Sequence, residues 1–247
     1  MRLLLITILL ACRSVTPAPA PWEQRFVEHD GVRIEYRVRA GRGLPVVFVP
    51  GMRNRAAEYE HAAALVDALG DRTLIAISIR GRGESSAPDA GWTVAAQASD
   101  IAAVVDAEKL GRYHLVGHSM GVGYALHHAL AHPAAIASFT AADYRPGLVA
   151  VSEDWVRLVE RAPPVPGQFD SRIARRMWNE QQGEYAPTLA DFRVPVLAIL
   201  STESSDKFVE GLWKQAPNAR VMWIEHGHDT FTSEAARRAL VQHLDQR

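Results

Sequence analysis

Residues 115–126 read Leu115-Val116-Gly117-His118-Ser119-Met120-Gly121-Val122-Gly123-Tyr124-Ala125-Leu126, and the fold turns on them. Tyr113–Gly117 is a short apolar run of strand character. Met120–Ala131 is an Ala- and Leu-rich helical pattern that Pro133 stops. Between the two stands a serine in the pattern G-x-S-x-G. A strand, a sharp turn and a helix form the context in which that pattern presents a nucleophile. The glycines permit a turn so tight that a Cβ would clash. The turn lifts the Ser119 hydroxyl to the head of a helix, where the N-terminal dipole favours a developing negative charge.

Outward from this turn, short apolar runs alternate with helical stretches. Gln24–His29 and Val32–Arg39 flank Asp30-Gly31, a strong hairpin signal. Pro45–Val49 is a continuous apolar run, as in a strand buried on both faces, and Thr73–Ile79 is a second buried strand. Ile136–Ala142, Val196–Leu200 and Arg220–Glu225 are three further strands. Helices are expected over Ala56–Leu69, Val94–Leu110, Phe208–Gln215 and Ser233–Leu244, the last with Ser233 as N-cap. Such alternation predicts an α/β fold: a mostly parallel sheet of about eight strands with an N-terminal hairpin and helices on both faces. Ligands then bind beyond the carboxyl ends of the strands. The interval 145–193 breaks the alternation and is read as a small helical cap, with Trp155, Pro163-Pro164-Val165-Pro166 and an amphipathic run near Ile173–Gln182.

Four motifs fall just after strands. Besides the serine turn they are Val49-Pro50-Gly51-Met52, Arg80-Gly81-Arg82-Gly83-Glu84-Ser85 and Gly227-His228. In order and spacing they resemble the α/β-hydrolase superfamily from about Phe26 to the end. The resemblance implies Ser119 as nucleophile, His228 as general base, and the backbone N–H groups of Met52 and Met120 as oxyanion donors. It departs from the family pattern in Pro50, where His is commoner, and in Ser78, where an Asp is usual. It implies neither metal nor organic cofactor. An Asp nucleophile, which epoxide hydrolases and haloalkane dehalogenases need, is absent from the serine turn.

The third triad member is open at this level. The family usually carries its acid in a G-x-x-D turn after the penultimate strand. Here that turn reads Ser201-Thr202-Glu203-Ser204-Ser205-Asp206, without the glycine and with Ser204 near the expected slot. A second location is the end of the strand after the nucleophile helix, where Asp143 stands. Asp143, Asp206 and Glu203 all obey the chain order Ser, acid, His. Asp143 ranks first because it follows its strand directly; Asp206 is suited to cap the next helix. His226 is a rival for the base, and His127 and His128 are read as packing. Arg53 and Arg55, with Asn54, are candidates to hold a substrate carboxylate. Trp92, Trp155 and Trp178 are candidates for an acyl pocket.

Bulk properties agree. A chain of 247 residues with 48% hydrophobic and 22% charged residues is long enough for one large core without disulfide or metal. Lys+Arg 27 against Asp+Glu 28 leaves a net charge of −1, which provides no electrostatic footprint for nucleic acid. The expected partner is a small acyl substrate. Leu3–Ala11 before Cys12 resembles a signal core with a lipobox, and residues 13–21 a Pro-rich tether. The domain proper is expected over 22–247, exported, either periplasmic or lipid-anchored to a bacterial membrane through Cys12; a cytoplasmic chain is the alternative. The resulting expectation is a serine hydrolase of carboxylic esters or lactones. The alternatives are C–C hydrolysis, perhydrolase or cofactor-free oxygenase chemistry on the same fold, and a non-catalytic binding protein.

Overall fold

The computed structural model describes residues 20–150, 152–161, 171–181 and 183–246. The signal-like segment, all but the end of the tether, and Pro163–Pro166 lie outside the described residues. Eight strands form one sheet: β1 (Trp22–His29), β2 (Val32–Arg39), β3 (Arg42–Val49), β4 (Arg72–Ser78), β5 (Tyr113–His118), β6 (Ile136–Ala142), β7 (Val196–Ser201) and β8 (Ala219–Ile224). Their order is β1-β2-β4-β3-β5-β6-β7-β8. β1 and β2 pair antiparallel, as do β2 and β4; every pairing from β4 onward is parallel. The hairpin forms because Asp30 and Gly31 both adopt left-handed backbone, φ 49° and 73°, which matches the twist of the flanking strands.

The helices are α1 (Ala56–His61), α2 (Ala63–Leu69), α3 (Val94–Ala107), α4 (Gly121–Ala131), α5 (Glu153–Arg161), α6 (Ser171–Glu180), α7 (Lys207–Trp213) and α8 (Glu234–Leu244). Alternate residues of β3 serve opposite faces. Val47 and Val49 join the main core with α3 and α4, whereas Val46 and Phe48 join a second cluster with α1, α2 and α8. Ser233 caps α8, its hydroxyl accepting from the Ala236 N–H.

One expectation is corrected. The helix read over Ala56–Leu69 is two helices, broken at Ala62 (φ −78°, ψ 62°). Tyr59 and Leu65 both bury in the second cluster. Six residues of unbroken helix would set them about 120° apart around the axis, so the break lets both face the sheet.

The interval after β6 carries α5 and α6. The latter packs on the main core through Ile173, Ala174 and Met177. Its end is tied to the loop after β4: the Glu180 carboxylate accepts the Trp92 N–H at 2.7 Å, and Gln181 donates to the Trp92 carbonyl. Trp92 is wholly buried between cap and core, while Trp155 and Trp178 are partly buried against the core. Among the described residues no helix is long and apolar enough to cross a membrane.

Candidate active site

The turn after β5 has the geometry its glycines require. Ser119 sits at φ +51°, a left-handed conformation uncommon for a residue with a side chain. A Cβ at Gly121 would lie 2.2 Å from the Pro50 carbonyl oxygen, and one at Gly117 would lie 2.7 Å from the Val122 Cα. The helix head is thus pressed between its own strand and the end of β3, and only glycine fits at both points.

His228 follows β8 and reaches back across the sheet. Its Nε2 lies 2.7 Å from the Ser119 Oγ, and its Nδ1 lies 2.7 Å from the Asp143 Oδ2. With an ionised Asp143 as acceptor, Nδ1 carries the proton and Nε2 presents its lone pair to the serine hydroxyl. Asp143 projects from the end of β6, also in left-handed backbone at φ +51°, with its N–H donating to the Ile199 carbonyl at 2.7 Å. Its side chain is fully buried. Burial alone would raise this carboxyl. The hydrogen bonds from His228, the Ser204 hydroxyl, the Ser201 N–H and the Ser205 hydroxyl outweigh burial and hold it below the usual carboxylate range. The hydrogen bond to Asp143 in turn raises the His228 imidazole above its ordinary value, against the opposing effect of burial.

The other two acids stand elsewhere. Asp206 is the N-cap of α7, where its Oδ1 accepts the Val209 N–H at 2.9 Å. Glu203 is exposed, its N–H donating to the Ser201 hydroxyl at 3.1 Å. His226 bonds Thr232 at Nε2. His128 is buried against the Tyr113 hydroxyl at 2.5 Å, and burial lowers its pKa to about 4; His127 meets the Tyr185 ring edge-on. Arg53 is exposed and Arg55 half-buried at the head of α1, while Asn54 donates to Glu58.

The oxyanion loop after β3 lies beside the serine: a Cβ at Gly51 would be 3.1 Å from the Ser119 Cβ. The Met120 peptide opens α4. Neither the Met52 nor the Met120 N–H donates to another described residue. The loop is braced from behind by Arg82, whose Nε donates to the Met52 carbonyl at 3.0 Å and whose Nη1 donates to Gln97 at 2.9 Å. Arg80, the first residue of that motif, pairs with Asp100 of α3 at 2.6 Å, and Ser78 Oγ accepts the Ala56 N–H at 2.9 Å.

Three contributions escaped the sequence. His118 donates from Nε2 to the His228 carbonyl at 2.8 Å and packs its ring 5.0 Å from the His228 ring, fixing the base from below. Its own pKa is lowered by burial, so it is a neutral donor. The Ser201–Ser205 turn solvates Asp143. Arg82 anchors the Met52 peptide. Each lies within a motif or turn that the sequence marks, but nothing in the sequence gives its role. Among the described residues no three His, Cys, Asp or Glu side chains stand close enough to hold a metal ion.

A mostly parallel sheet with a strained serine at the head of a helix, and a histidine and a buried carboxylate in line behind it, defines a class of hydrolase scaffold. The model of the alpha/beta hydrolase family matches residues 46–246, and the chain belongs to that family. It is 34% identical over 142 residues to N-formylmaleamate deformylase of Pseudomonas putida, a match covering 57% of this chain and 45% of the deformylase. It is 34% identical over 116 residues to 2-(acetamidomethylene)succinate hydrolase of Mesorhizobium japonicum, covering 46% of this chain and 41% of that enzyme. The chain thus matches less than half the length of either curated relative. Among solved structures, an esterase from Exiguobacterium antarcticum superposes with a TM-score of 0.74 at 22% identity, over 91% of this chain and 100% of that one. An enol-lactonase from Burkholderia xenovorans gives 0.74 at 16% identity, over 90% and 100%. These likenesses are of fold. The chain has the α/β-hydrolase fold.

Proposed function

We propose that this hydrolase cleaves a carboxylic ester or lactone through an acyl-enzyme on Ser119. The observation that carries the reading is the continuous chain from Ser119 Oγ to His228 Nε2 and from His228 Nδ1 to Asp143, each link 2.7 Å. Ser119 Oγ attacks the acyl carbon while His228 Nε2 takes its proton. The carbonyl oxygen becomes an oxyanion held by the Met52 and Met120 N–H groups. His228 returns the proton to the leaving oxygen as the C–O bond breaks. Water then repeats the sequence on the acyl-enzyme, restoring Ser119 and releasing the acid. Asp143 stays ionised, fixes the tautomer and stabilises the imidazolium.

A second reading, amide cleavage, is favoured by one observation: the matched segment of the chain is also that of a deformylase. It uses the same residues, with His228 protonating a leaving nitrogen. The test has two parts. A fluorophosphonate should label Ser119 stoichiometrically, and Ser119→Ala should abolish labelling. A panel of esters, lactones and amides sharing one acyl group should then show turnover of the oxygen compounds. Labelling with turnover of amides alone overturns the ester reading; absence of labelling overturns the serine mechanism.

A further inference from the structure

A groove of about 540 Å³ runs between α1–α2 and the loop that follows His228. Its apolar walls include Tyr59, Ala64, Leu65 and Phe231; Asn54 and His118 reach it from the active-site side. None of the described residues of the interval 145–193 lines it. Neither Ser119 nor His228 lines it either. The link runs through Gly51: a Cβ there would be 3.0 Å from the Asn54 Oδ1, 3.3 Å from the His118 Nδ1 and 3.1 Å from the Ser119 Cβ. The groove therefore ends one residue from the candidate nucleophile.

We infer that this groove receives the leaving group, the uncharged alkyl or aryl alcohol half of an ester. The inference rests on the serine-hydrolase reading above. In the collapse of the tetrahedral intermediate the proton comes from His228 Nε2, so the leaving oxygen departs on the imidazole side. Residues 229–232 of the groove wall are the continuation of the imidazole's own loop, and His118 holds that loop through the His228 carbonyl. The oxyanion occupies the Met52–Met120 side, and the acyl chain takes the remaining direction, beneath the cap. Charge narrows the occupant. Glu58 and Asp229 bring two carboxylates to the groove. The one guanidinium among the described lining residues, Arg237, donates to the Phe231 and Thr232 carbonyls at 2.9 and 2.7 Å and is held against its own loop. An anionic leaving group meets repulsion there, and an uncharged apolar one meets contact surface.

The test uses Ala64→Trp, which fills the groove from an exposed position on α2. Rates are normalised to active sites titrated with a fluorophosphonate, so misfolded protein does not count. Two ratios of kcat/KM are read: benzyl acetate over methyl acetate, which varies the alcohol, and methyl octanoate over methyl acetate, which varies the acyl chain. The expected result is a fall of about ten-fold or more in the first ratio with the second unmoved. A first ratio that holds, or a fall in the second instead, overturns the inference. If the wild type neither labels nor turns over any ester, the serine-hydrolase reading fails on its own. The groove is then read by saturation-transfer NMR with benzyl alcohol: a signal in the wild type that Ala64→Trp removes supports it as an alcohol site, and no signal in the wild type overturns it.

Discussion

The ends of β6 and β7 lie side by side, and each holds part of what the imidazole needs. β6 ends in a bare carboxylate, Asp143, placed directly after the strand. β7 ends in a serine-rich turn whose acids make no hydrogen bond to the His228 imidazole and which supplies one backbone N–H and two hydroxyls to Asp143. Charge and the dipoles that solvate it are divided between two strands. Neighbouring parallel strands bring their carboxyl ends within hydrogen-bond reach of one point, here the Nδ1 of His228. A carboxylate on either strand can reach that point, provided the other strand solvates it. A buried carboxylate without such donors would protonate instead.

The most drastic way to break the comparison is to remove the β6 charge. Asp143→Asn should lower kcat by about 10⁴, because the imidazole loses its fixed tautomer; steady-state kinetics on a stably folded variant decide it. A loss of only a few-fold would transfer the role to another acid. The next test moves the charge across. Ser204 bonds the same Oδ2 that His228 uses. The double variant Asp143→Ser, Ser204→Asp should therefore recover about a hundred-fold over Asp143→Ser alone, still short of the wild type. No recovery would mean that the β7 turn cannot aim a carboxylate at Nδ1.

A pH profile sharpens the same point. Protonated His228 cannot accept the serine proton, so kcat/KM rises with pH through the pKa of His228. The Asp143 hydrogen bond raises that pKa, so the wild-type midpoint should lie above 6.5. In Asp143→Asn the main raising partner is gone, and burial, which lowers the pKa, outweighs the smaller raising effect of Asp229. The midpoint of the residual activity should then move to the acid side of 6.5. The smallest effect is expected at the β7 acid that points elsewhere. Asp206→Ala removes a helix cap and should cost about 1 kcal/mol of stability, a Tm lower by about 2–4 °C, with kcat within about two-fold of the wild type. Thermal melting and kinetics on the same preparation check both halves.

Much of this was legible in the chain because it rests on local rules. Ile136–Ala142 reads as a strand and is one, with the same bounds, because short side chains with Ile136 and Phe139 fill a nearly buried parallel strand. Asp30-Gly31 fixes the hairpin through two left-handed residues. Ser119 and His228 stand out because a strained turn and a close turn need glycines at set offsets. The break at Ala62 was not legible, since alanine and leucine favour helix throughout and only packing of Tyr59 and Leu65 on one sheet face imposes the kink.

The sequence by itself determined the α/β alternation, the serine turn and a short list of acids at strand ends, because each of these is encoded by neighbours within a few residues. Only the tertiary structure decided among Asp143, Asp206 and Glu203, since the choice depends on which carboxylate faces an imidazole 85 residues away from Asp143 along the chain. It also decided the partners of that choice: His118 beneath His228, Ser204 and Ser205 around Asp143, and Arg82 behind Met52. Side chains such as these carry no pattern of their own. A serine that solvates a buried carboxylate and a serine in a wetted turn have the same sequence signal, and the difference is set by which strands the sheet places side by side.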